Sequence, residues 1–267
     1  LQNVTLNLPR VAYISDHDDA KIFENLENLM RLVVKAHVEK QHFIQELLSA
    51  GQNGPLALLT MNLDGEPYLR MYRVTYLVGL LGLNEMVQFH TTSQLHESED
   101  AFRFGVKVIS YLKILCERYS KETGLRFVLE QTPAESTAYR FARLDYEHFA
   151  SKSSDILKGT IPDRVYYTNS TYLNISEPIS PIEKVKKEGV FHPLIEAGAL
   201  THIWLGESKP DSQSLANFVV KSFQNTKNSQ IAFSPEFTSC LDCGRIYRGI
   251  YKECPWCSAS RKGVVRV

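Results

Sequence analysis

Two cysteine pairs, Cys240-Leu241-Asp242-Cys243 and Cys254-Pro255-Trp256-Cys257, decide how the last part of the chain folds. Ten residues separate the pairs, which is the spacing of two zinc knuckles that face each other across one tetrahedral ion. Four thiolates leave no open position on the metal. The pattern therefore predicts a closed structural Zn²⁺ site and not a Lewis-acid catalyst. Disulfides and an iron–sulfur cluster are the less favoured alternatives.

The residues around the cysteines suit this interpretation. Gly244 follows Cys243, and Pro255 lies inside the second pair, where each favours a tight turn. Four of the five cysteines lie within 18 residues, a distribution that predicts a metal in a reducing compartment, the cytoplasm, instead of a disulfide scaffold. The fifth, Cys116, lies on the apolar stripe of a predicted helix, so we expect a buried thiol without a chemical role.

The composition of the whole chain limits its partners. The 267 residues are 43% hydrophobic, enough for one large domain and a small appendage. Thirty basic residues balance thirty acidic ones, which gives no electrostatic reason to expect nucleic acid or an anionic membrane. No apolar run approaches the ~20 residues that a transmembrane helix needs. Leu1 leads directly into a strand-like pattern, so we expect the chain to be a piece of a longer protein.

Helical and strand-like patterns alternate along the chain. Apolar residues at helical spacing follow capping residues, and shorter apolar runs lie between the helices. Long helices that alternate with short apolar strands predict an α/β layer or barrel with parallel strands. The predicted helices cover about 16–50, 98–119 and 212–224, and the predicted strands cover 4–8, 55–61 and 125–129.

A polar segment directly after the strand at 125–129 is the main candidate for a ligand site. Hydroxyl side chains and free backbone amides at the start of a helix suit a phosphate group. The segment also fits an ordinary helix start, with Thr132 as the N-cap, Pro133 at the first helical position and Glu135 as the capping-box acid. Both interpretations stay open, because a capped helix start is also an anion site.

A glycine-punctuated segment at 78–86 is less informative. Its Asn84 and Glu85, with His90 just beyond, fit a loop near a ligand, and they fit an ordinary surface loop at least as well.

Taken together and in this order, several segments resemble the anaerobic (class III) ribonucleoside triphosphate reductases, which are glycyl radical enzymes. The resemblance covers nearly the whole chain and includes the four-cysteine module. The other matching segments are Val4-Thr5-Leu6-Asn7-Leu8-Pro9-Arg10, Val78-Gly79-Leu80-Leu81-Gly82-Leu83-Asn84-Glu85-Met86, Glu130-Gln131-Thr132-Pro133-Ala134-Glu135-Ser136-Thr137, Arg140-Phe141-Ala142-Arg143-Leu144-Asp145 and Tyr167-Thr168-Asn169-Ser170.

The resemblance implies a fold. In this family the catalytic domain is a ten-stranded α/β barrel made of two five-stranded halves. Residues 1–235 would form the C-terminal half barrel. Residues 236–267 would form a small zinc-ribbon-like domain that leads to the glycyl radical loop.

The resemblance also implies a chemistry. In the family, a glycyl radical generates a thiyl radical that abstracts the ribose 3′-hydrogen, and a glutamate acts as base at the 3′-hydroxyl while the 2′-hydroxyl leaves as water. Glu135 matches that glutamate, and Asn3 or Asn7 matches a polar residue near the 2′ side. The remaining expected substrate-binding residues are Thr132, Pro133, Ala134, Ser136 and Thr137.

The family further implies partners that this chain does not contain. These are the N-terminal half with its thiyl cysteine and allosteric region, a second copy in a homodimer, and an activase that uses S-adenosylmethionine and an iron–sulfur cluster. The radical glycine normally follows an Arg-Val run, and the sequence ends at Arg266-Val267, while Gly263 lies too early. We therefore expect the chain to be incomplete by itself.

A non-catalytic assembly module that docks the activase through its zinc domain is the alternative function. A relative of pyruvate formate-lyase is a third, which the zinc module argues against.

Overall fold

Strands and helices alternate through the first two thirds of the chain, as the sequence predicts for the α/β class. The computed structural model describes residues 2–62, 64–132, 134–206, 208–260 and 264–266. These residues form two compact units, one of 1–179 with 190–199, the other of 180–189 with 200–267. The predicted boundary between 235 and 236 stays a prediction.

The bounds of the elements are as follows. The helices are α1 Leu8–Ser15, α2 Asp19–Ser49, α3 Ala57–Thr60, α4 Leu83–Thr91, α5 Glu99–Thr123, α6 Glu135–Ser153, α7 Pro181–Glu188 and α8 Ser212–Asn225. The strands are β1 Gln2–Asn7, β2 Thr75–Leu81, β3 Arg126–Glu130, β4 Lys158–Thr160, β5 Arg164–Tyr166, β6 Thr201–Gly206, β7 Ile231–Pro235, β8 Phe237–Cys240, β9 Ile246–Arg248 and β10 Val264–Arg266.

A parallel sheet with the order β1-β2-β3 organises the first unit. Its two faces differ, because successive side chains of a strand point to opposite sides. The apolar face belongs to the main hydrophobic core, which it shares with α2 and α5. The core residues from the strands and from these two helices include Leu6, Val78, Leu80, Leu129, Ile22, Leu26, Met30, Ile109 and Leu112. The opposite face carries the polar side chains described below, beside the buried residues Leu77, Leu81 and Val128.

The long helices match the sequence patterns closely. Asp18 caps α2 by accepting a hydrogen bond from the backbone N–H of Lys21, and Ser98 caps α5 in the same way. Helix α5 ends at Gly124, whose φ of 73° is a left-handed conformation that glycine adopts without strain. Cys116 lies on the buried face of α5, and burial raises the pKa of its thiol to about 12. The expectation of a buried thiol is confirmed.

Two sequence expectations are wrong. Residues 55–61 do not form a buried strand but contain the short helix α3, with Leu58 exposed on its surface. A short run of leucine and alanine suits a helix as well as a strand, so its periodicity could not separate the two. Residues 78–86 are not a surface loop but the end of β2 and the start of α4, where Asn84 and Glu85 are fully buried.

The second unit contains a parallel pair, β6 and β7, with helices α7 and α8. It also contains a small antiparallel sheet of order β10-β8-β9 that carries the cysteines. No helix in the described part of the chain is long and apolar enough to cross a membrane.

A buried histidine in the first unit makes its stability depend on pH. His37 in α2 is fully buried, and its Nε2 donates a hydrogen bond to the carbonyl oxygen of Leu77 at 3.1 Å. Its Nδ1 is buried without a partner in the described part of the chain, so a second proton there would be desolvated. Burial accordingly lowers the pKa of His37 to about 4.

We therefore expect His37 to weaken the fold in acid. Because its pKa in the folded chain lies below the unfolded value of about 6.5, its stabilising effect is complete above pH 6.5 and is lost as the pH falls towards 4. His37→Gln keeps a donor but does not titrate. Urea unfolding at pH 7 and pH 4 should show that the wild type loses roughly 3 kcal/mol more than the variant. Equal losses in both proteins would contradict this account.

Candidate active site and metal centre

The four predicted cysteine ligands lie together in the second unit. Their sulfur atoms are all within 4.8 Å of one another. Cys240 and Cys257 approach to 3.6 Å between sulfurs, and Cys243 and Cys254 to 3.7 Å. A regular tetrahedron with Zn–S bonds of about 2.3 Å has sulfur–sulfur edges of about 3.8 Å. The donor set and its spacing therefore fit one zinc ion, as the cysteine pattern predicts.

Backbone hydrogen bonds shape the two knuckles in the same way. In the first, the N–H of Gly244 donates to the carbonyl of Cys240 at 2.9 Å, and in the second the N–H of Ser258 donates to the carbonyl of Cys254 at 3.0 Å. Gly244 has a φ of 69° and Ser258 a φ of 57°. The turn that glycine permits in the first knuckle is thus made by a serine in the second, which sequence analysis did not predict.

The thiols respond differently to this arrangement. Burial opposes ionisation of Cys254, but hydrogen bonds from the backbone amides of Cys257 and Trp256, together with those from the thiols of Cys257 and Cys240, outweigh it and lower the pKa of Cys254 to about 6. The amide of Ala259 favours the Cys257 thiolate, but burial and the neighbouring sulfurs outweigh it and raise the pKa of Cys257 to about 12. Four thiolates this close together need a divalent cation to balance their charge.

The polar face of the sheet β1–β3 is the candidate substrate site. Asn3 on β1 donates hydrogen bonds from Nδ2 to the carboxylate of Glu130 and, at 3.0 Å, to the hydroxyl of Thr132. Thr5 donates to Asn3 Oδ1 at 3.2 Å, and Thr132 donates to Glu130 Oε2 at 3.0 Å. These four side chains tie β1 to the end of β3 across the middle strand, and we call them the polar cluster.

The middle strand allows this cluster because it has no side chain there. Gly79 pairs with Thr5 on one side and with Glu130 on the other. A Cβ atom at Gly79 would lie 2.5 Å from Thr132 Oγ1 and 2.7 Å from both Asn3 Oδ1 and Thr5 Oγ1. These distances are too short for any side chain, so glycine is what lets the polar cluster close over β2.

Helix α6 starts beside the end of β3. Its N-cap residue is Ala134, which has no capping side chain, and the N–H of Ala134 donates instead to Asn169 Oδ1 at 3.3 Å. The expected N-cap role of Thr132 is therefore wrong, because its hydroxyl is engaged with Asn3 and Glu130. Pro133 lies outside the described residues, and so does Gly263.

Glu135 is the first residue of α6 and is exposed, as is Ser136, while Thr137 is half-buried. In the described part of the chain the Glu135 carboxylate forms no hydrogen bond or ion pair. The partial positive charge of a helix N-terminus favours a carboxylate or a phosphate at this position. The structure thus leaves a carboxylate and free helix amides next to the polar cluster.

Asn7 serves a different purpose from Asn3. It caps α1 by accepting from the N–H of Arg10, and its Nδ2 donates to Asp145 Oδ2 at 2.9 Å. Asp145 is fully buried in α6 and is also paired with the Arg10 guanidinium at 2.6 Å and with the hydroxyl of Tyr167 at 3.0 Å. This network fixes α6, and with it Glu135, to the end of β1.

A second buried carboxylate holds the segment 167–171 over the end of β2. Glu85 accepts the backbone N–H of Thr168 at 3.0 Å and its hydroxyl at 2.6 Å. Desolvation raises the pKa of Glu85. Gly82 in turn donates its N–H to the carbonyl of Thr168, which places Asn169 where it reaches Ala134. Glu85 therefore positions the residue that substitutes for the missing helix cap.

The structure brings some candidate residues together and separates others. Asn3 and Thr132 share the polar cluster, while Ala134, Glu135, Ser136 and Thr137 form the adjacent helix start. Sequence analysis missed Thr5, Glu130, Asp145 and Asn169. Strand alternation could have identified Thr5 and Glu130. Thr5 lies two residues after Asn3 and Glu130 lies two residues before Thr132, so in an extended chain the side chains of each pair point to the same face. The hydrogen-bond partners of Asp145 and Asn169 lie in other segments of the chain, so no local sequence pattern predicts these contacts.

Comparison with known proteins gives one consistent result. A family model described as anaerobic ribonucleoside-triphosphate reductase matches residues 1–267. The protein of that name from Escherichia coli (strain K12) is 24% identical over 281 residues, covering 98% of this chain and 38% of that protein. The one from Enterobacteria phage T4 is 25% identical over 254 residues, covering 91% and 39%.

The fold agrees with this result. The anaerobic ribonucleotide reductase from Thermotoga maritima, solved with glycerol in its active site, superposes with a TM-score of 0.77 at 24% identity and covers 97% of this chain and 40% of that one. At this identity the likeness shows the fold. The chain spans about two fifths of the length of these relatives.

The metal centre generates a direct prediction. The purified chain should carry about one zinc ion, and Cys257→Ser should lose most of it, because three thiolates and a hydroxyl hold zinc far less tightly. Cys116→Ala is the matched control and should keep its zinc. Mass spectrometry of the metal content measures both. Full zinc occupancy in Cys257→Ser would show that the four sulfurs are not the ligand set.

Proposed function

The chain belongs to the anaerobic ribonucleoside-triphosphate reductase family, and we propose that it supplies part of the catalytic domain of such a reductase. The reaction is the reduction of ribonucleoside triphosphates to deoxyribonucleotides by glycyl and thiyl radical chemistry. The family match over the whole chain supports this proposal. A related structure from Thermotoga maritima, solved in complex with dATP and CTP, supports a nucleotide ligand.

The observation that carries the proposal is the group of polar residues where β3 ends and α6 begins, in the first unit. In α/β proteins, ligands collect outside the carboxyl ends of parallel strands. Here Glu130 and Thr132 of the polar cluster lie at the carboxyl end of β3, where they contact Asn3 of β1, and the N-terminus of α6 follows directly. We place the ribose over the polar cluster, and we place phosphate oxygens at the helix amides with Ser136 and Thr137. Pro133 and Ala134 complete the expected lining.

Glu135 is the proposed base at the ribose 3′-hydroxyl. Its carboxylate is exposed and has no competing partner in the described residues, and its helix is anchored by Asp145. A base must lie within hydrogen-bond reach of the proton that it removes, and a fixed helix start provides such a position. The side-chain groups of both asparagines are hydrogen-bonded, but those of Asn3 belong to the polar cluster, whereas those of Asn7 cap α1 and hold Asp145. Asn3 is therefore the better candidate for the 2′ side.

The proposal requires groups outside this chain. The N-terminal part of the reductase would complete a ten-stranded barrel, of which residues 1–235 would form half, and a homodimer is the proposed assembly. An activase that uses S-adenosylmethionine and an iron–sulfur cluster would generate the glycyl radical. Within this chain, zinc held by the four cysteines in the domain 236–267 would keep the last strands folded. Five cysteines without a disulfide, four of them grouped as metal ligands, fit a reducing cytoplasm.

The proposed base is tested by Glu135→Gln in an activated reductase that contains this chain, under anaerobic conditions. Removing the base should lower kcat at least ~100-fold, while the glycyl radical signal in electron paramagnetic resonance stays unchanged. Glu147→Gln, on the exposed side of the same helix, is the matched control and should keep wild-type turnover. Unchanged turnover in Glu135→Gln would eliminate the proposed role.

A second candidate function is an assembly module that docks the activase through the zinc domain. The metal module exposes the large apolar side chains of Leu241, Ile246 and Trp256, each about two-thirds exposed. Exposed apolar groups grouped on a small module are a feature of docking surfaces.

This second function predicts that Leu241→Asp weakens binding of the activase at least ~10-fold without changing the zinc content. Fluorescence anisotropy with labelled activase gives the affinity. Leu58→Asp, at an exposed leucine of the first unit, is the control and should bind normally. Equal affinity for all three proteins would leave the module without a docking role.

A further inference from the structure

We infer that Glu130 is a specificity-determining residue that accepts a hydrogen bond from a ribose hydroxyl of the substrate. This inference rests on the proposed function, because it concerns the same candidate substrate site. It adds a second carboxylate to the site and assigns the two carboxylates different tasks: Glu130 recognises the sugar and Glu135 moves the proton.

The position of Glu130 follows from strand geometry. It is the last residue of β3, on the polar face, and it pairs with Gly79 of the middle strand. It is half-buried, whereas Glu135 is exposed. A half-buried carboxylate on this face can be reached by a ligand and is partly shielded from water.

The two carboxylate oxygens of Glu130 are used unequally. Oε2 accepts hydrogen bonds from Asn3 and from Thr132, which hold the side chain in one orientation. Oε1 forms no hydrogen bond to the described residues. An ionised carboxylate is an acceptor only, so Oε1 presents an oriented acceptor to whatever occupies the polar face.

The charge of the cluster selects the part of the nucleotide that fits there. The polar cluster contains one carboxylate, one amide and two hydroxyls, and no basic side chain in the described part of the chain bonds to these four groups. Lys40 Nζ donates to the backbone carbonyl of Asn3 instead. A phosphate would be repelled by Glu130 and finds free amides at the start of α6 instead. Ribose hydroxyls are neutral donors, and charge-assisted hydrogen bonds to a carboxylate are stronger than neutral ones.

A merely structural role for Glu130 is the competing explanation, since its bonds to Asn3 and Thr132 also tie β1 to β3. The two explanations predict different effects on the preference for ligands that carry the ribose hydroxyl. Loss of a structural tie weakens every ligand alike. Loss of a contact to the sugar weakens only ligands that carry the hydroxyl.

The experiment measures the binding of a ribonucleoside triphosphate and of its 2′,3′-dideoxy analogue to the reductase that contains this chain, by calorimetry without turnover. The wild type should prefer the ribonucleotide, and Glu130→Gln should reduce the ratio of the two affinities roughly 10-fold. An unchanged ratio overturns the inference, whether both affinities fall together or neither changes.

Controls separate this result from the proposed function. Glu122→Gln, at an exposed position of α5, should keep the wild-type ratio. Glu135→Gln should lose turnover but still bind the ribonucleotide. If the wild type turns over and Glu130→Gln keeps the ratio, only the inference fails. If the wild type binds no ribonucleotide, the proposed function and the inference fail together.

If circular dichroism shows that Glu130→Gln does not fold, a variant that keeps the charge takes its place. Glu130→Asp retains a carboxylate but shortens its reach by one methylene, so the affinity ratio should fall several-fold. A wild-type ratio in Glu130→Asp then overturns the inference.

Discussion

The structure of the first unit is organised by the alternation of side chains along its three parallel strands. In β1, Val4 and Leu6 point into the helix-covered core, so Asn3, Thr5 and Asn7 must point to the other face. Burial of the apolar side chains on the core side is strongly favoured, because a fully buried leucine contributes about 2–3 kcal/mol to the stability of the fold. A slip of one residue would exchange the two faces of the strand. The hydrophobic core therefore determines which side chains the polar face presents.

Two buried carboxylates then turn a polar face into a defined site. Asp145 of α6 is hydrogen-bonded to Asn7, before α1, and to Tyr167. Glu85 holds the segment 167–171, from which Asn169 accepts a hydrogen bond from the start of α6. Buried charges are costly unless they are fully hydrogen-bonded, and each of these accepts several hydrogen bonds. Their effect is positional, because α6 cannot move without breaking the contacts of Asp145 with Asn7, Arg10 and Tyr167 or the contact of Asn169 with Ala134. Glu135 thus starts a helix that is held at its N-cap and at Asp145.

How much could be predicted from the sequence depended on how local each interaction is. The zinc ligands lie within 18 residues, and their spacing alone predicted the cluster that the structure contains. Helices α2 and α5 carry long apolar stripes with capping residues beside them, so their existence and type were predictable, and the α/β class followed. The polar cluster joins Asn3 to a residue 127 positions away, which no pattern in one sequence indicates. The N-cap residue of α6, Ala134, has no side chain that could cap the helix, and Asn169 provides an acceptor from a distant segment instead. The role of Glu135 came from the family resemblance and remains a proposal.

The most direct test is a crystal structure of the reductase that contains this chain with a ribonucleoside triphosphate bound. The account predicts the ribose over Gly79, with a sugar hydroxyl within hydrogen-bond distance of Glu130 Oε1, the 3′-hydroxyl within reach of Glu135, and phosphate oxygens at the first amides of α6. A nucleotide whose sugar lies away from the polar face of β1–β3, with Glu130 and Glu135 both facing solvent, would contradict it.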